Sequence, residues 1–227
     1  MTENANKSNQ SDQKKLNKRS SKTSWLLFDE LSPSLQRTIY YFSIPHWFDK
    51  TLAHSLLSAL GKSERESDIL FGSLINLPFV YMRDSISWQY TRNARNYIQK
   101  KFQREDPLAF KEVSNQIRII LENQMDDLRS SENQSSQDLE KKHQYRSWEI
   151  RQLQWQIAYH LAVLDPESSV KRLLEISEWA GSNLRYQNDQ RLAIFVFRAR
   201  EKTLENYRPE GVYLEGRYAY SREIYDQ

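Results

Sequence analysis

The chain has 227 residues and carries 33 Lys and Arg against 30 Asp and Glu, a formal charge of +3. Without cysteine it can have no disulfide, thiolate metal site or cysteine nucleophile, and five Gly and six Pro argue against glycine-lined nucleotide folds and turn-dense β-sandwiches. No apolar run approaches the ~20 residues that span a bilayer, and residues 1–24 lack the apolar stretch of a signal peptide. The expectation is therefore a cytoplasmic, mainly helical protein with no membrane partner and one large domain or two small ones.

Residues 1–24 hold Lys7, Lys14, Lys15, Lys18, Arg19 and Lys22 against Glu3 and Asp12, which is +4, so 25–227 sums to −1. The basicity is thereby assigned to this arm. Leu16 is its single large apolar residue beyond Met1. So little apolar surface cannot offset the entropy of ordering, and the arm is expected to be disordered. Lys14, Lys15, Lys18 and Arg19 are its candidate nucleic-acid contacts.

An apolar anchor opens the body at Trp25-Leu26-Leu27-Phe28. Ser32 and Pro33 start a helix through Leu35, Ile39 and Phe42 that ends before Pro45. A second helix is expected from about His46 to Leu60 and stops at Gly61. Ser63 caps a third, with Glu66 completing a capping box, and Pro78 ends it. Phe79-Val80-Tyr81-Met82 and Ile86-Ser87-Trp88-Gln89-Tyr90 alternate around Arg83-Asp84-Ser85 and predict one short β-hairpin. A helix follows from about Thr91, with Arg92, Arg95, Lys100, Lys101 and Arg104 expected to form a basic face.

Asp106 caps a connecting helix over 106–130, and the polar stretch 131–137 is a linker. Over 138–227 the pattern predicts antiparallel, repeat-like helical hairpins: a helix from about 138 to 164, apolar nearly all round in its C-terminal half and so buried between neighbours, one after Asp165-Pro166, and one from about 189 to 207. Trp148, Trp155 and Trp179 fall on periodic apolar stripes and are assigned to packing. The last stretch, 208–227, is expected to be irregular or partly helical. Its Tyr213, Arg217, Tyr218, Tyr220 and Arg222 are residue types enriched at binding hot spots, and with Arg92 and Arg95 they are the candidate partner-binding residues.

Three helices, a hairpin and a further helix over 25–105 have the order of a winged-helix domain. Leu31-Ser32-Pro33-Ser34-Leu35-Gln36-Arg37, Leu70-Phe71-Gly72-Ser73-Leu74-Ile75-Asn76-Leu77-Pro78-Phe79-Val80 and Trp88-Gln89-Tyr90-Thr91-Arg92-Asn93-Ala94-Arg95-Asn96-Tyr97-Ile98 resemble the winged-helix segment that follows the nucleotide-binding core of STAND-type signalling ATPases. The resemblance covers about 31–125. Members of that family place a phosphate-contacting His where this chain has Tyr90-Thr91-Arg92, and the chain has no Walker A sequence. The resemblance therefore implies the fold and a helical-repeat region, but not ATP hydrolysis.

No constellation for catalysis is evident. His46 and His54 lie eight residues apart, too far for a helical metal pair, and the acids at Asp126-Asp127 and at Glu64, Glu66 and Asp68 suit helix ends. The expectation is a non-enzyme without cofactor or metal: a protein–protein interaction or regulatory adaptor. A DNA-binding winged-helix regulator, with Arg65 on the third helix and Arg83 in the wing as contacts, is the alternative, as is a subunit serving a nucleotide-binding domain in trans.

Overall fold

The computed structural model describes Phe28 and residues 31–132, 139–181, 187–200 and 202–225, with side chains except at 131–148, 179–190 and from 220 onward. The basic arm and the 133–137 portion of the linker lie outside these residues. Among the described residues the chain is mainly helical, with nine α-helices and a three-stranded sheet, in two compact units, Met1–Glu105 and Asp106–Gln227.

The first unit runs α1 (Pro33–Ser43), β1 (Phe48–Asp49), α2 (Lys50–Ala59), α3 (Glu64–Ile75), β2 (Val80–Met82), β3 (Ser87–Tyr90) and α4 (Arg92–Glu105). The caps are local chemistry. Ser32 Oγ accepts from Leu35 N–H and Asp49 Oδ1 from Leu52 N–H, satisfying first-turn donors that have no intrahelical acceptor. Ser63 and Glu66 form the expected capping box. Gly61 adopts φ 79°, and Lys62 N–H and Gly61 N–H donate to the Leu57 and Ser58 carbonyls. That Schellman closure needs the left-handed conformation glycine adopts without strain.

The structure departs from the sequence expectation at the second helix. Residues 46–49 are not helical: Phe48 and Asp49 pair antiparallel with Trp88 and Ser87, adding a strand to the predicted hairpin. The sheet order is β1-β3-β2. A two-residue strand has no periodicity of its own, and only its partner β3 defines it. Aromatic rings join this sheet to the helices. Phe48 packs on Phe42 and Tyr90, Tyr90 stacks on Phe79, and Trp88 meets the Phe71 ring edge-on. Tyr90 is buried and donates to the Ile39 carbonyl, and burial pushes its phenol well above the ordinary value.

The second unit is helical throughout: α5 (Pro107–Glu132), α6 (Leu139–Leu164), α7 (Pro166–Gly181), α8 (Gln187–Ala199), a 3-10 turn (Glu205–Tyr207) and α9 (Arg208–Tyr225). Helix α5, expected as a connector, packs along α6, and α6 also packs on α7 and α8. Residues 155–160 are accordingly buried without interruption, the polar Gln156 and His160 included. Trp155 enters a core with Tyr159, Leu173, Val196, Phe197 and Leu214, where Ala158, Ala162 and Ala193 let backbones approach. Trp148 and Trp179 lie outside the described side chains. The stretch 208–225, expected to be irregular or only partly helical, is one helix. Its Gly211 faces the Phe197 ring so closely that a Cβ there would overlap it.

Candidate interaction surfaces

The described residues contain no group of three or more His, Asp or Glu that could hold a metal ion, and no helix among them is long and apolar enough to cross a membrane. Three surfaces carry the chemistry of the first unit.

The first is the exposed side of α3 with the start of α2. Lys50 Nζ and His54 Nε2 lie 3.0 and 3.2 Å from Asp68 Oδ1, and Lys62 pairs with Glu66. The Lys50 hydrogen bond is the main reason the Asp68 carboxyl is held below its ordinary value, and the Ser63 backbone N–H does the same for Glu66. An open cleft of about 320 Å³ beside them is lined by His54, Ser55, Ser58, Glu64 and Ser67. Ser67 Oγ donates to the Ser63 carbonyl. Arg65 is exposed here among Glu64, Glu66 and Asp68, and Ile69 is 59% exposed. A DNA phosphate approaching α3 would meet carboxylates, so this face is poorly suited to a duplex backbone.

The second surface is the hairpin tip. Asp84 organises it: Oδ1 accepts from Ile86 and Ser87 N–H, and Oδ2 accepts from Ser87 Oγ at 2.6 Å. The Ser87 hydroxyl, followed by the Ile86 amide, holds that carboxyl below its usual range. Around this turn Tyr81, Met82 and Ile86 are exposed by 47, 58 and 69%, and the Arg83 guanidinium sits 5.0 Å above the Trp47 ring. Tyr81 Oη accepts from Gln89 Nε2 across the strands. The hairpin is legible in the sequence; the exposure of its apolar side chains is not. The available signal was that Met82 and Ile86 flank a polar turn with no helix predicted to cover them.

The third is α4. Arg92 is exposed, but Arg95 is turned inward and buried, so it is not open to a partner. Its Nε and Nη2 donate to the Ser43 and Ile44 carbonyls at 3.1 and 3.0 Å, and Gln99 Nε2 donates to the same two. The C-terminus of α1 leaves carbonyls without intrahelical donors, and a cation suits that end of the helix. Lys101 is mostly covered, its ammonium 4.8 Å from the Phe28 ring centre. Lys100 and Arg104 are exposed beside Asn93, Asn96, Tyr97 and Gln103.

Lys14, Lys15, Lys18 and Arg19 lie outside the described residues, as do the side chains of Tyr220 and Arg222. In the second unit Tyr213 is exposed on α9 next to Val212, the Arg217 guanidinium lies 5.9 Å from its ring, and Tyr218 is half-buried. Arg198 and Glu215 tie α8 to α9 at 2.8 Å.

The charge of residues 31–105 adds a second basic region to the arm. Residues 31–105 hold ten basic and six acidic residues, whereas 106–227 hold seventeen and twenty. Residues 31–105 are net basic and 106–227 net acidic. No protein-family model matches the chain, and neither a curated protein nor a solved structure matches it.

Proposed function

We propose that the protein is a non-catalytic interaction module, a regulatory adaptor related to STAND-type regulators, that docks a protein partner through its hairpin tip. The observation that carries this reading is the exposure of Tyr81 and Met82 at the end of β2 and of Ile86 before β3, on either side of a turn that Asp84 holds in shape, with Arg83 lying over Trp47. Aromatic residues, Met and Arg are enriched at protein interfaces, and a rigid apolar projection costs little entropy to bury. The order helix–strand–helix–helix–hairpin–helix and the sheet order β1-β3-β2 support a winged-helix reading of the first unit. The acidic surroundings of Arg65 favour a protein partner over a DNA duplex at α3.

The test is affinity capture from the native cell extract, with and without nuclease, using the wild-type chain and a Met82→Glu, Ile86→Glu variant. The expected result is a near-stoichiometric protein that wild type retains through nuclease treatment and the variant loses. Equal retention by the variant, or loss on nuclease treatment, would overturn the reading.

A further inference from the structure

We propose that the solvent face of α4 is a binding site for the phosphate backbone of single-stranded nucleic acid, with Tyr97 as a stacking platform for a base. This site is separate from the hairpin tip and from α3, and does not rest on the docking reading above.

Helix α4 contains Arg92, Arg95, Lys100, Lys101 and Arg104 against Glu105, a surplus of four. Residues 31–91 hold five basic and five acidic residues, so α4 accounts for the whole surplus of residues 31–105. The compensation elsewhere is visible in the ion pairs of Lys50 with Asp68 and Lys62 with Glu66. Arg92, Lys100 and Arg104 form no ion pair among the described residues.

At 3.6 residues per turn the exposed positions 92, 93, 96, 97, 100, 103 and 104 share one arc of about 140°, while Ala94, Arg95, Ile98 and Phe102 occupy the opposite, buried side. Every residue on that arc can donate a hydrogen bond, and none is a carboxylate. Glu105 lies off the arc, where its Oε2 accepts from Tyr40 Oη at 2.6 Å. The three cations span about 18 Å of helix.

The class of ligand follows from what the arc lacks. A protein interface needs a desolvated apolar centre, and Lys is depleted there. This face has no aliphatic side chain, and its single aromatic, Tyr97, is 53% exposed at the middle of the helix. A cationic track with an exposed ring suits a strand whose phosphates are neutralised while a base stacks. Bases inside a duplex cannot reach such a ring, so Tyr97 selects single strands.

The experiment is fluorescence anisotropy with the full chain and 5′-labelled dT15, U15 and a 15-base-pair DNA duplex, from 50 to 200 mM NaCl. Lys100→Gln with Arg104→Gln is expected to weaken binding to dT15 or U15 about tenfold at 100 mM and to reduce the salt slope by about 1.4, at roughly 0.7 per lost phosphate contact. Which of the two binds more tightly identifies DNA or RNA as the source. Tyr97→Ala is expected to weaken single-strand binding at least fivefold, with the slope unchanged and duplex binding unaffected. A quadruple Lys14→Gln, Lys15→Gln, Lys18→Gln, Arg19→Gln variant separates the arm from α4. If it abolishes binding while the α4 variants bind as wild type does, the proposal is overturned. It is also overturned if a (Glu)15 peptide displaces the oligonucleotide at equal charge concentration, which would assign the face to an acidic protein. All substituted α4 positions are solvent-facing, and circular dichroism checks that the helix is intact.

Discussion

The two units bury polar groups in different ways. In the first, Arg95 and Gln99 reach carbonyls left open at the end of α1, and Tyr90 donates across to the Ile39 carbonyl within it. The second has comparable ties, from Ser169 Oγ to the Ala158 carbonyl and from Arg200 Nε to that of Tyr159. It also buries both amide atoms of Gln156, Ser114 Oγ and Trp155 Nε1 with no hydrogen-bond partner among the described residues. Its helices instead gain cohesion by close approach at Ala158, Ala162, Ala193 and Gly211. Both units have directed polar ties, and the second adds close helix contacts at small residues and buried polar atoms without partners. The same kind of substitution should therefore have opposite signs in the two.

The largest effect is expected from Arg95→Met combined with Gln99→Met. Removing both donors leaves the Ser43 and Ile44 carbonyls dry and should cost about 4 kcal/mol. Hydrogen exchange followed by mass spectrometry would show faster opening in 31–105 peptides, and protection unchanged from wild type would break the contrast. In the second unit Gly211→Leu drives a side chain into the Phe197 ring and should cost about 2 kcal/mol through overpacking, read as faster exchange in 187–225. Gln156→Met reverses the sign. It replaces an unsatisfied buried amide with an apolar chain of similar length and should stabilise the second unit by about 1 kcal/mol. A lower melting temperature for that variant would show that the amide is satisfied after all.

The smallest expected effect is acidic. Glu66, Asp68 and Asp84 in the first unit, and Asp165 in the second through the Ser168 hydroxyl, have carboxyls held below their ordinary values. A folded value below the unfolded one means that the folded state binds fewer protons. The stabilisation is then complete above an unfolded value of about 4 and is lost as pH falls through the folded values. Three such groups against one predict that exchange protection between pH 5 and 3 declines more in 31–105 than in 139–181. All four groups are essentially exposed, so the difference is modest. Equal decline in both segments would remove this part of the comparison.

Much of the fold was legible because its signals are local. The Ser63–Glu66 box, the Gly61 stop, the Asp106 and Asp165 caps and the alternating hairpin each depend on neighbours within a few residues. The candidate surfaces were legible only in part. Arg92 and Arg95 look alike in the sequence, three apart on a basic helix, yet one faces water and the other α1. Distinguishing them requires knowing that Ala94, Ile98 and Phe102 set the buried side and that the end of α1 offers carbonyls to it. The exposure of the apolar hairpin tip is not written in its own residues, because exposure is decided by what fails to cover a side chain.

Composition, capping residues and hydrophobic period alone determined a mainly helical chain with one hairpin, because helix ends and strand alternation are governed by interactions between residues near in sequence. Only the tertiary structure decided that Phe48–Asp49 becomes a third strand, that α5 packs along α6, that 208–225 is a single helix, and which cations of α4 remain at the surface. Each of those outcomes depends on partners tens of residues away, and residue identity carries no record of which partner arrives.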